Sequence, residues 1–139
     1  MSEPIATRAV IPLSGPALAP IAAAVRWGDL VFVSGLAAID PVTGQVEGET
    51  VEEQAALVLD ELASVLVRAG TDLSHVLRVE CFLGQSGDLA SWNTIFGRYF
   101  PSEPPARTTL IAGFALPGLR VEVQATAGVP GLPPKRMVG

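Results

Sequence analysis

The chain has 139 residues, 49% of them hydrophobic and 17% charged, which fits one globular domain and excludes a chain disordered throughout. Nine Lys and Arg against fourteen Asp and Glu leave a formal charge of −5, a balance that repels a phosphate backbone and argues against a nucleic-acid-binding surface. Cys81 is the only cysteine and His75 the only histidine, so neither an internal disulfide nor a cysteine-built zinc cluster can form, and a Ser-His-Asp arrangement or a His-type catalytic metal site is not easily built.

The first forty residues carry strand signals: Ala6 to Ile11, a Pro-rich loop, Ile21 to Val25, and then Leu30-Val-Phe-Val-Ser34-Gly35, β-branched and aromatic. Asp40-Pro-Val-Thr-Gly44 has the residues of a turn. Thr50 with Glu53 forms a capping box, and Ala55, Val58, Leu59, Leu62, Val65 and Leu66 recur at helical spacing until Gly70. Val76 to Leu83 alternates, with Leu77, Val79, Cys81 and Leu83 on one face and Arg78 and Glu80 on the other. A second helix is expected from about Asp88 to Phe100, its stripe formed by Leu89, Trp92, Ile95, Phe96 and Tyr99. Strands over Ala106–Phe114 and Leu119–Ala127 complete the order βββ-α-β-α-ββ.

That order predicts an α+β fold with both helices on one face of a mixed sheet. The other face then carries Arg78, Glu80, Glu122 and Gln124, too polar for a core, and calls for a partner subunit or ligand. Residues 1–127 are expected to form the single domain and residues 128–139, GVPGLPPKRMVG, a flexible tail. No apolar run reaches the roughly 20 residues of a membrane span. The N-terminus lacks a signal-peptide pattern, so a cytoplasmic, reducing location is expected. The low charge content points to a homo-oligomer that covers part of its surface with a second subunit.

Chemistry concentrates in Pro104-Pro105-Ala106-Arg107-Thr108-Thr109, where two prolines fix the approach and an arginine follows at the start of a strand. A guanidinium held there matches a carboxylate in two parallel, charge-assisted bonds; alternatively it makes only a surface ion pair. Glu122, an acid within an alternating apolar strand, is either a solvated face residue or a base for a water molecule. Were Leu116-Pro-Gly-Leu119 a tight hairpin, Arg107 would lie about 20 Å from Glu122 at ~3.3 Å per residue. A shared site therefore requires a crossover or two subunits. Asn93, within the second helix, and Ser34, at a strand end, are candidate ligand contacts or plain structural polar groups, and Cys81 reads as a buried hydrophobe. Gly-rich phosphate loops are absent from the sequence.

Taken together, Val33-Ser34-Gly35, the DPVTG turn, the Thr50 helix ending at Ala69-Gly70, Trp92-Asn93, Pro105-Ala106-Arg107-Thr108 and Val121-Glu122-Val123 resemble the YjgF/RidA family of reactive-intermediate deaminases, also called L-PSP endoribonucleases. The resemblance runs from about residue 6 to 127. It implies a chorismate-mutase-like fold, a homotrimer with ligand clefts between subunits, and no cofactor or metal. It further implies Arg107 as the clamp for the substrate carboxylate, Glu122 as the group positioning the hydrolytic water, and Ser34, Gly35 and Asn93 as cleft residues. The implied reaction is hydrolysis of 2-imino or enamino acids, such as 2-iminopropanoate or 2-aminoacrylate, to 2-keto acids and ammonia. Thr109 stands where the family usually has a cysteine, and Ile21 replaces a tyrosine that often lines the cleft, changes that make the pocket more apolar or differently shaped. A non-catalytic, carboxylate-binding or chaperone-like trimer is the alternative, and ribonuclease activity ranks below both, because one lysine and one histidine hold RNA poorly.

Overall fold

The computed structural model describes residues 6–16 and 18–131. It contains β1 (Arg8–Ile11), β2 (Ala24–Trp27), β3 (Leu30–Ala37), α1 (Val51–Arg68), β4 (Val76–Leu83), α2 (Leu89–Tyr99), β5 (Ala106–Ile111) and β6 (Val121–Gly128), with short 3-10 turns at Leu73–His75 and Ser86–Asp88. The expected α+β order is borne out. The six strands form one sheet in the order β1-β2-β3-β6-β4-β5. All neighbours are antiparallel except β4 and β5, whose parallel pairing is made possible by the α2 crossover.

Alternation along the strands decides which face is buried. Val31, Val33 and Leu36 of β3, Val79, Cys81 and Leu83 of β4, and Val121, Val123, Ala125 and Ala127 of β6 point to one side and are almost fully buried. Against them lie Ala55, Val58, Leu59, Leu62, Val65 and Leu66 of α1 with Trp92, Ile95 and Phe96 of α2, so both helices cover the same face. Leu77 departs from the expected alternation: the β4–β6 register shifts between Val76 and Arg78, and Leu77 is left 53% exposed.

Helix α1 begins where the sequence signals it. Thr50 Oγ1 accepts from the Glu53 backbone N–H at 3.1 Å, while Glu53 Oε2 accepts from the Glu49 N–H at 2.9 Å. Gly70, at φ 92°, closes the helix in the left-handed region that favours glycine. Thr50→Ala is expected to lower stability by about 1 kcal/mol, read as a shift in the urea midpoint at unchanged slope.

Buried polar groups that no local pattern signals tie the layers together. Gln54, fully buried on α1, donates to Gly48 O (3.1 Å) and Gly118 O (2.8 Å), and its Oε1 accepts from the Arg120 N–H (2.8 Å). The sequence pattern starts the last strand at Leu119. The strand instead starts at Val121, and the Arg120 side chain turns to Asp88, donating at 2.9 and 3.2 Å in a two-point pair. That carboxylate is 5% exposed and holds the guanidinium firmly in its charged form. Tyr99 Oη donates to Asp60 at 2.7 Å and joins the two helices, its own phenol pushed up to about 12 by burial and by the bond to that acid. No helix among the described residues is long and apolar enough to cross a membrane. The tail expected at 128–139 falls, from residue 132 on, outside the described residues, whereas Gly128 belongs to β6 and Val129 donates its N–H to Asp29 O.

Candidate active site

Arg107 is fixed by geometry the chain order could not reveal. In the β4–β5 register it lies opposite Val79, a core residue, so its side chain leaves the sheet on the helix side. There its Nη2 donates to Asn93 Oδ1 at 2.6 Å, and its Cζ sits 4.9 Å from the centre of the Phe96 ring. Asn93 and Phe96 are three residues apart on α2 and therefore share one helix face, which together orients the guanidinium by a hydrogen bond and a cation–π contact. The Asn93 bond uses one of five donors. Among the described residues no carboxylate pairs with Arg107. A cation held still without an anion beside it is suited to receive one from a ligand.

Thr109 is two residues further along β5 on the same side, opposite Cys81. Its Oγ1 is buried and, like Trp92 Nε1, has no hydrogen-bond partner among the described residues. Cys81 is a buried hydrophobe, as expected; burial pushes its thiol up to about 11, against the opposing pull of Arg107, so it stays protonated and unreactive at neutral pH. The chain therefore carries its one thiol a strand inward from position 109, opposite Thr109 on β4.

Glu122 belongs to a different surface. It pairs with Ala37 of β3 and Phe82 of β4, both on the open face of the sheet. The β3–β6 register shifts between Val33 and Leu36, placing Ser34 and Gly35 in a bulge beside the carboxylate. A Cβ at Gly35 would lie 3.1 Å from Glu122 Oε1 and 3.2 Å from its Cδ; the glycine therefore makes room for the acid. Gly35→Ala is expected to push the carboxylate aside, leave the fold intact and reduce turnover of substrate about tenfold, which steady-state kinetics beside a thermal melt would show.

Ser34 Oγ donates to Ala22 O at 2.6 Å and its N–H to Ala23 O at 3.0 Å, so it pins the segment after Pro20 against β3. Ile21, 55% exposed, is thereby set beside Gly35 in a cleft that both residues line. His75 lies outside both groups, hydrogen-bonded through Nδ1 to Asp72 at 2.8 Å at the start of β4. Among the described residues no cluster of His, Cys, Asp or Glu could hold a metal ion.

The proposed residues thus fall into two sets. Arg107, Asn93 and Thr109 stand on the helix side at the β5 edge; Glu122, Gly35, Ser34 and Ile21 gather around the open face. Strand β4 runs between β5 and β6, which removes the tight hairpin and supplies a crossover. Yet Arg107 is level with Val79 and Glu122 with Phe82. Three residues and two strand spacings put their Cα atoms about 14 Å apart, and the odd offset sends the side chains to opposite faces. Within one chain they cannot address one small molecule. The reading missed Phe96 under Arg107, although its spacing from Asn93 was a usable signal.

A mixed sheet covered by two helices, with a fixed guanidinium at its edge and a carboxylate beside a bulge on its open face, defines a small α+β protein with two separate half-sites. The chain belongs to the endoribonuclease L-PSP family, whose sequence profile matches residues 13–129. It is 39% identical over 113 residues to protein DfrA of Myxococcus xanthus, covering 80% of this chain and 86% of that one. It is 32% identical over 111 residues to the 2-iminobutanoate/2-iminopropanoate deaminase of Mus musculus, covering 80% and 82%. A YjgF-family protein from Neisseria meningitidis superposes with a TM-score of 0.77 at 29% identity, covering 90% of this chain and 97% of that one.

Proposed function

We propose that the protein is a hydrolytic deaminase converting 2-imino or enamino acids to 2-keto acids and ammonia, working as a homotrimer without a cofactor in the cytoplasm. The observation carrying this reading is the pair of incomplete half-sites: an arginine held by Asn93 with no acid paired to it, and a carboxylate with no base paired to it, among the described residues and on opposite faces of the sheet, an arrangement that a second copy would complete. The likeness to a mammalian protein named as an imine deaminase supports the reaction type.

In this reading Arg107 of one subunit binds the substrate carboxylate, held in place by Asn93 and Phe96. Glu122 of the neighbouring subunit takes a proton from water as the oxygen attacks C2 of the C=N bond. Glu122 passes that proton to the imine nitrogen, so the tetrahedral carbon bears OH and NH2. The carboxylate then takes the hydroxyl proton and delivers it to the amine nitrogen as the C2–N bond breaks and C2=O forms, so imine and water are converted to keto acid and ammonia with no oxidant or reductant. The apolar open-face residues Trp27 (54% exposed), Phe32 (48%) and Leu110 (54%) are the surface the trimer would cover.

The test generates imines in place with an amino-acid oxidase and follows their capture by semicarbazide. Wild-type protein should suppress semicarbazone formation and accelerate ammonia release. Tight binding of small carboxylates without any suppression would instead establish the non-catalytic alternative.

A further inference from the structure

Beside the Glu122 half-site is a cleft of about 370 Å³, within the roughly 300 to 1,000 Å³ range of small-molecule pockets. Its walls are Leu13, Leu18, Ile21, Leu36 and Leu57, contributed by the segment before β2, by β3 and by α1. Leu18, Ile21 and Leu57 are 60%, 55% and 39% exposed, apolar surface left uncovered in the free chain. The walls are set by local contacts: a Cβ at Gly44 would meet Leu18 Cδ1 at 3.0 Å, and one at Gly15 would meet the Pro41 Cβ at 3.0 Å, so the DPVTG turn braces the opposite side.

Two features tie this space to chemistry. Gly35 lines the cleft and also abuts the Glu122 carboxylate, so the cleft opens beside the group assigned to the water. Asp40, Glu47 and Glu61 lie among its lining and, among the described residues, no Lys or Arg does. Asp40 is kept anionic by the Thr43 and Val42 N–H groups, which donate to it at 3.0 and 2.7 Å. An apolar chain gains by entering; a second carboxylate is repelled.

We infer that the cleft is the side-chain pocket of the active site and selects 2-imino acids with branched-aliphatic or aromatic side chains over 2-iminopropanoate and over imino diacids. The inference rests on the deaminase reading and adds its substrate class. A methyl group, about the size of one water's ~30 Å³, would leave the cleft nearly empty. Each methylene taken out of water contributes about fourfold in affinity, so the three additional carbons of a leucine-derived imine should be worth at least about tenfold even with partial burial.

The experiment compares kcat/KM for imines generated from leucine, alanine and glutamate. The leucine-derived imine is expected to lead the alanine-derived one at least tenfold, with the glutamate-derived imine last, and Leu57→Arg should lower the leucine-to-glutamate ratio at least tenfold. Equal or better use of the alanine-derived imine, or a ratio unmoved by Leu57→Arg, overturns the inference. Should no imine be hydrolysed, the deaminase reading fails by itself. The pocket is then judged by calorimetry with the corresponding keto acids: 4-methyl-2-oxopentanoate binding more tightly than pyruvate and 2-oxoglutarate upholds it, and equal binding of the three refutes it.

Discussion

Arg107→Ala is expected to lower kcat/KM for imine hydrolysis by about 10² to 10⁴, the loss of two charge-assisted bonds to a shielded carboxylate at about 1.5 to 3 kcal/mol each. The side chain is exposed in the free chain and is held by one hydrogen bond to Asn93 and a cation–π contact with the Phe96 ring, so stability should fall by no more than about 1 kcal/mol. Arg107→Lys should recover only part of the activity, because an ammonium keeps the charge and loses the planar fork. Kinetics with thermal melts on the same preparations separate lost binding from lost fold. An Arg107→Ala protein as fast as wild type removes the carboxylate clamp from the account.

Glu122→Gln should be comparably damaging, with kcat down about 10² to 10⁴ because an amide keeps the size but cannot accept the proton from water. Keto-acid binding should be nearly unchanged, since the carboxylate clamp belongs to the other half-site. The pair of variants therefore splits in a diagnostic way: Arg107→Ala raises the dissociation constant for keto acid, and Glu122→Gln reduces turnover. Parallel losses of binding in both variants would contradict this division of roles.

Periodicity makes most of the architecture legible in the sequence. The Thr50 box, the Leu59–Leu62–Leu66 stripe and the alternation Val121–Glu122–Val123 are local patterns, and each element they indicate is present. The two helices on one sheet face followed from the apolar sides of these elements. Sheet order did not follow, because the placement of β4 between β5 and β6 is a pairing of strands distant in sequence. Nothing in the sequence around Arg120 distinguishes a sheet-face arginine from one turned to Asp88, since that choice depends on Gln54 capturing the backbone just ahead of β6. The candidate site was legible as residue types and illegible as geometry. Arg107 and Glu122 stood out as charges in β-regular segments, but their opposite orientations emerge only from register counted across β4. Asn93, read as ligand contact or plain surface, holds the arginine, while Ser34 anchors the segment carrying Ile21.

The central claim is that every working site draws its arginine from one subunit and its glutamate from another. Arg107→Ala and Glu122→Gln proteins, each nearly inactive, should regain activity when co-expressed or refolded together. If subunits mix at random in equal amounts, about a quarter of the sites pair an intact arginine with an intact glutamate, and activity should return to about that fraction of wild type. A mixture shown by native mass spectrometry to contain hetero-oligomers, yet no more active than its parents, would contradict a site built by two chains.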